Sequence, residues 1–152
     1  MSDNWIILIP DKAGLVPTKI REMLARKKLS ELLPEADEIK LELSEEMRFE
    51  HCGSNFESVQ CPACGGKLET KWWQKKMDDD FGPEKNFKLA PIKLPCCGIK
   101  KTLHELHYEW QQGFAKFSLS VRNPNIGKMP ERFIEALETI LSCKLRFIYR
   151  HI

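Results

Sequence analysis

Phe114-Ala115-Lys116-Phe117-Ser118-Leu119-Ser120-Val121-Arg122 places Ala115, Phe117, Leu119 and Val121 on one side of a two-residue period. Phe114, Lys116, Ser118 and Arg122 fall on the other side. A period of two with one apolar side predicts a half-buried β-strand. Beyond it, Asn123-Pro124-Asn125 and Gly127 supply turn chemistry. Pro130 suits the opening of a helix, because its missing N–H would have no partner there. Phe133, Ile134, Leu137, Ile140 and Leu141 recur at helical spacing, and Leu145 to Ile152 reads as a closing strand.

The start of the chain repeats this order. Trp5 to Ile9 is a short unbroken apolar run closed by Pro10-Asp11 and Gly14, the pattern of a buried strand. Pro17 then suits the first turn of a helix whose Ile20, Met23 and Leu24 form an i, i+3, i+4 stripe, with Lys and Arg on the other face. Pro34 bounds that helix. Ile39, Leu41 and Leu43, then Met47 and Phe49, alternate with charged residues as one or two strands, and Ser44-Glu45-Glu46 offers a hairpin turn. Two β-α-β halves in one small chain resemble the ferredoxin-like architecture. The expected fold is therefore α+β, with an antiparallel sheet and two helices built from residues 1–50 and 113–152. Residues 51–112 form a cysteine-rich insert. No internal repeat is apparent.

A length of 152 residues suits one domain, or one domain with an insert, and 42% hydrophobic with 30% charged residues is an ordinary globular balance. The Trp5–Ile9 run has no basic residue before it and is too short for a signal-peptide core or a bilayer span. A cytoplasmic chain with no membrane partner is expected, and in that compartment six cysteines favour metal over disulfides. The net charge of +2 is uneven: residues 1–64 carry −4, whereas 65–101 and 113–152 carry +4 each. This mild basicity falls short of a concentrated nucleic-acid-binding face.

Within the insert, Cys61-Pro62-Ala63-Cys64-Gly65-Gly66 and Pro95-Cys96-Cys97-Gly98 place four thiols in two clusters, each followed by glycine. Cys-x-x-Cys-Gly brings two sulfurs to one side of an ion, and glycine lets the chain fold back tightly. The first motif resembles the CPxCG knuckle of zinc-ribbon proteins, which implies a small β-hairpin scaffold around a structural Zn²⁺ held by Cys61, Cys64, Cys96 and Cys97. The second motif departs from that pattern, since Cys96 and Cys97 are adjacent. If both cannot reach one ion, Cys52, His104 or His107 completes the shell, with Cys52-Gly53 the strongest substitute. Lys67, Lys93, Lys100 and Lys101 would offset the −2 charge of four thiolates on Zn²⁺. A redox reading of Cys61-Pro62-Ala63-Cys64 requires the first cysteine at a helix N-terminus, and Gly65-Gly66 opposes a helix there.

Trp72 to Met77 reads as a short helix, Phe87 to Leu94 as a strand, and Thr102-Leu103-His104-Glu105 as a capping box. His104 and His107 would share a helical face, but the spacing of a zincin pair is absent, so they read as surface or partly packed residues. Asp78-Asp79-Asp80 reads as a solvated loop rather than a cation site, and Cys143 as a small buried side chain. Trp72, Trp73 and Trp110 suit either a binding groove or packing of the insert. Gln112-Gly113-Phe114-Ala115-Lys116-Phe117 has only partial likeness to an RNA-recognition motif: Gln112 stands for a basic residue and Lys116 for a stacking aromatic. No set of catalytic residues of a known type is present. The leading expectation is a non-catalytic protein–protein interaction module with a structural zinc, partnered by another protein. A nucleic-acid-binding zinc-ribbon protein is the alternative, and an enzyme using His104, His107 or a free cysteine comes third.

Overall fold

In the computed structural model, which describes residues 2–152, the N-terminal apolar run becomes β1 (Asn4–Pro10). β1 lies between the strand from the chain's most regular stretch (Gly113–Arg122) and the last strand (Leu145–His151), antiparallel to both. A fourth long strand, β2 (Glu38–Glu50), pairs antiparallel with Gly113–Arg122. The first helix is α1 (Lys19–Leu32). Between β2 and the Gly113 strand lie β3 (Val59–Gln60), β4 (Lys67–Leu68), α2 (Thr70–Phe81), β5 (Ile92–Lys93), β6 (Lys100–Lys101), a 3-10 turn at Leu103–Glu105 and β7 (His107–Tyr108). Gly113–Arg122 is thus β8, followed by α3 (Glu131–Leu141) and β9 (Leu145–His151). Among the described residues the fold is mixed α+β with three α-helices and antiparallel sheets, and the large sheet has the order β2-β8-β1-β9.

Both faces of that sheet are covered. On one, Ile6, Leu8, Phe117, Leu119, Val121 and Phe147 pack against Ala25 and Leu29 of α1 and Leu137 and Leu141 of α3. On the other, Ile7, Ile9, Ala115 and Ile148 pack with Cys52, and Phe114 joins a cluster containing Val59, Leu68, Trp73, Leu94 and Tyr108. This explains why Ile6 to Ile9 do not alternate: a strand with a neighbour on each edge and a layer on each face has no polar side. It also corrects the expectation of one apolar face on β8, since Phe114 is fully buried and Ser118 and Ser120 lie under cover.

Elements packed on the second face are tied to the large sheet by polar contacts. Gly53 makes a parallel bridge to His151, and Asn55 Nδ2 donates to the Tyr149 carbonyl at 2.9 Å. Arg146 of β9 donates to the carbonyls of His104 and Gln112 at 3.0 and 2.8 Å.

Several local expectations are corrected. Ser44-Glu45-Glu46 does not turn a hairpin; β2 is one strand whose register against β8 shifts between Leu43 and Arg48. Pro17 precedes α1, and Thr18 caps it by accepting from Arg21 N–H at 3.4 Å. The Ile20, Met23 and Leu24 stripe faces solvent, while Ala25, Leu29 and Glu22 form the buried side. The predicted short helix at Trp72–Met77 extends over Thr70–Phe81, so Asp78, Asp79 and Asp80 form its last turn rather than a loop. Only Ile92–Lys93 of the predicted Phe87–Leu94 strand is extended in a ladder. The preceding segment is held by the buried Asp80 carboxylate, which accepts from the N–H groups of Lys88, Leu89 and Ala90 at 2.9, 2.9 and 3.0 Å.

Candidate metal centre

Two antiparallel hairpins build the site. In the first, β3 leads into Cys61-Pro62-Ala63-Cys64-Gly65-Gly66 and β4 leads out. Cys61 N–H donates to the Gly66 carbonyl at 2.8 Å, and Gly65 N–H to the Cys61 carbonyl at 3.0 Å. In the second, β5 leads into Leu94-Pro95-Cys96-Cys97-Gly98-Ile99 and β6 leads out. Leu94 N–H donates to Ile99 at 2.9 Å, and Gly98 N–H to Leu94 at 3.0 Å. Gly65 and Gly98 occupy the same left-handed conformation, at φ 73° and 76°.

The two loops are therefore one knuckle used twice, with every position of the second 33 residues after its counterpart in the first. The absence of an internal repeat expected from sequence is corrected by this local one. Its register also explains the irregular second motif. Cys97 matches Cys64, but Leu94 stands where the first knuckle has Cys61, and Cys96 stands at the place of Ala63. Leu94 is buried among Val59, Leu68 and Leu103, so that position serves the apolar cluster while the sulfur is supplied two residues later. The repeated x-Pro-x-Cys-Gly pattern, beginning at Cys61 and Leu94, is the sequence signal by which this could have been found.

The Sγ atoms of Cys61, Cys64, Cys96 and Cys97 all lie within 4.8 Å of one another, an arrangement that could hold a metal ion. Cys61 and Cys97 sulfurs are 3.8 Å apart, and Cys96 and Cys97 4.0 Å. Four thiolates about 2.3 Å from a tetrahedral Zn²⁺ would sit about 3.8 Å from each other. Backbone N–H groups already point at sulfur: Ala63 and Cys64 donate to Cys61 Sγ at 3.4 and 3.5 Å, and Gly66 to Cys64 Sγ at 3.3 Å. The Cys64 and Ala63 amides and the neighbouring thiols lower the Cys61 pKa to about 6 against the opposing effect of desolvation. Desolvation and the thiols of Cys64 and Cys61 push Cys96 up to about 12. The Cys61 and Cys96 thiols are thus driven in opposite directions, and a divalent ion would be needed to hold both as negative sulfurs at this separation.

Cys61 is buried, whereas Cys64, Cys96 and Cys97 reach the surface. Lys93 lies over the second knuckle, its Cε 3.4 Å from where a β-carbon on Gly98 would stand. Lys93 and Lys100 are direct cross-strand partners, and both are exposed, as is Lys67 on β4. Lys101 pairs with Glu105 at 3.8 Å.

The alternative ligands lie outside the four-sulfur group. Cys52 is buried beside Ile7 and Ile148, and its N–H and Sγ both donate to Gln112 Oε1, at 3.0 and 3.3 Å. His104 sits in the capped 3-10 turn, where Thr102 N–H donates to Glu105 Oε1 at 2.9 Å. Its Nδ1 accepts from Phe114 N–H at 2.9 Å, which leaves Nε2–H to donate to the Asp11 carbonyl at 2.6 Å. His107 is exposed on β7 opposite Gln60, so the two histidines do not share a helix. Trp73 is buried and donates from Nε1 to Tyr108 Oη at 3.1 Å, whereas Trp72 is half-buried with Lys76 Nζ 6.0 Å from its ring. The full burial of Phe114 removes the aromatic that the partial RNA-recognition likeness would need at the surface. Cys143 is half-buried against the α1/α3 cluster.

No protein-family model matches the chain, and no curated protein or solved structure is found to be similar to it.

Proposed function

We propose that the protein is a non-catalytic, cytoplasmic protein–protein interaction module whose insert is a zinc-ribbon-like unit organised by a structural Zn²⁺ on Cys61, Cys64, Cys96 and Cys97. The observation that carries this reading is the convergence of four sulfurs, from two hairpins of one design, to within 4.8 Å. Four sulfur donors suit zinc better than a hard oxygen-seeking cation, and they fill a tetrahedral shell with no position left for substrate. Around the insert we read a ferredoxin-like core, a reading supported by the strand order β2-β8-β1-β9 and by α1 and α3 packing in one cluster. The contact surface of the insert would be Trp72 with its neighbouring lysines, an aromatic on a positively charged rim.

Elemental analysis of protein purified without added metal should return one zinc per chain, and Cys64→Ser or Cys97→Ser should abolish its retention. Metal-free native protein, with melting behaviour unchanged by those substitutions, would refute the reading. Lys93 and Lys100, which are cross-strand partners and form no ion pair among the described residues, favour with nearby Lys67 a second reading, nucleic-acid binding. It requires low-salt retention of a single-stranded oligonucleotide that Lys93→Glu/Lys100→Glu removes and that falls steeply with added salt.

A further inference from the structure

We infer that the outward face of α1 is a docking surface for an acidic amphipathic helix of a partner protein. This goes beyond the insert-centred reading, uses a different surface and requires no metal. Val16, Ile20, Met23 and Leu24 are 44, 72, 61 and 52% exposed. Ile20, Met23, Leu24 and Lys27 follow i, i+3, i+4, i+7 spacing, so they form one face. The opposite side of the same helix, Ala25 and Leu29, is already buried against the sheet. A helix needs only one apolar face to dock on its own fold, and a second contiguous one held in water marks an interaction site.

The shape beside the stripe selects the kind of partner. A groove of about 510 Å³ runs between α1 and the turn into β2, lined in part by Met23, Arg26, Lys27, Leu33 and Ile39. Met23 belongs to both stripe and groove. A ridge of large apolar side chains next to a concavity matches a rod laid along it, the helix-in-groove mode of recognition, better than a flat bilayer.

Charge selects the sign. α1 carries Lys19, Arg21, Arg26, Lys27 and Lys28 against Glu22 and Glu31, and Glu22 is buried. Among the described residues none of these five cations forms an ion pair; Arg21 and Arg26 donate to the carbonyls of Ile140 and Ile39. The acids on the far wall of the groove, Asp37 and Glu38, are taken by Arg122 at 3.8 and 3.7 Å. A second copy of the chain would set these cations against themselves, whereas an acidic helix would pair with them.

The test is selection of a displayed library of random peptides, ~16 residues long to match the reach of α1, against the full chain as purified. Enriched peptides should be net negative with apolar residues at i, i+3, i+4 spacing. Leu24→Asp and Lys19→Glu/Lys27→Glu should each weaken the best of them at least about tenfold. All three positions are solvent-exposed, so the variants should melt with the wild type, which separates lost contact from lost fold. Failure to enrich, enrichment of basic peptides, or binding indifferent to both variants would overturn the proposal. So would a wild-type dimer that Leu24→Asp dissociates, or Leu24-dependent cosedimentation with phosphatidylserine vesicles without peptide binding.

Discussion

His104, itself buried, satisfies two backbone groups: the N–H of the fully buried Phe114 at the start of β8 and the Asp11 carbonyl after β1. Burial, and then the positive charge of Arg146, hold its pKa below the ordinary 6.5, against smaller opposing effects of Asp11 and Glu105. Protonation would put a hydrogen on Nδ1, where Phe114 N–H already donates. With a folded-state pKa below the unfolded one, stability is full above about pH 6.5 and falls as pH drops through that value toward the folded pKa. His104→Ala should cost about 1–3 kcal/mol at pH 7.5, since it strands the buried Phe114 N–H and removes the bond to the Asp11 carbonyl. The difference between wild type and variant in urea unfolding should shrink as pH is lowered from 7 to 5; a constant difference would show that His104 does not titrate in this window. Taking the difference removes the contributions of His51, also held low by burial and Arg150, and of the thiols. None of this role was legible in Thr102-Leu103-His104-Glu105 beyond the capping box, because the groups His104 serves lie at residues 11 and 114. Asp80 is a similar case: a triple aspartate shows no sign in sequence that one member will anchor three amides of a later loop.

The paired knuckles make a claim about an element: its backbone, rather than the order of its cysteines, defines the site. Leu94→Cys with Cys96→Ala would give the second loop the Cys-Pro-Ala-Cys-Gly order of the first. If the hairpins are equivalent, that double variant should still retain one zinc per chain, while Cys96→Ala alone should not. Loss of the Leu94 side chain from its buried cluster should lower stability by about 2–4 kcal/mol. Failure of the double variant to bind while remaining folded would show that the hairpins are alike in hydrogen bonding only. Gly66 is a second check on the same geometry, because a β-carbon there would stand 3.2 Å from Cys64 Sγ and 3.3 Å from Cys96 Cβ. At this scale the sequence was readable where period and environment agreed. The alternation of Phe117, Leu119 and Val121 and the helical spacing of Leu137 and Leu141 led directly to β8 and α3. It was misleading in α1, where the larger apolar residues lie outside and Ala25 and Leu29 face the sheet. Periodicity reports that a helix has an apolar arc; it does not report which arc meets the fold when two exist.

For the whole molecule, the decisive relation is that the cysteine-bearing hairpins belong to a layer covering one face of the central sheet. Cys61 and Leu94 pack in the cluster that includes Phe114 of β8, and Cys52 packs against Ile7, Ile9 and Ile148. Baring Ile7, Ile9, Phe114 and Ile148 would cost roughly 1.5–3 kcal/mol for each side chain, about 6–12 kcal/mol together, against a usual total stability of about 5–15 kcal/mol. Zinc bound in a small four-ligand site contributes an apparent free energy of about 10–16 kcal/mol, so on the proposed reading its removal would be large enough to release that layer. The helical side alone, held by Ala25, Leu29, Leu137 and Leu141, would then have to sustain a sheet with one naked apolar face. Chelation should therefore unfold the chain in a single transition rather than leave a folded core with a loose insert. Hydrogen exchange followed during chelation should show amides of β1, β8 and β9 losing protection together with those of Trp73, Leu94 and Tyr108. Sheet amides that stay protected after the hairpin amides have exchanged would mean that α1, α3 and the four long strands stand without their third layer, and that the zinc holds only its own two hairpins.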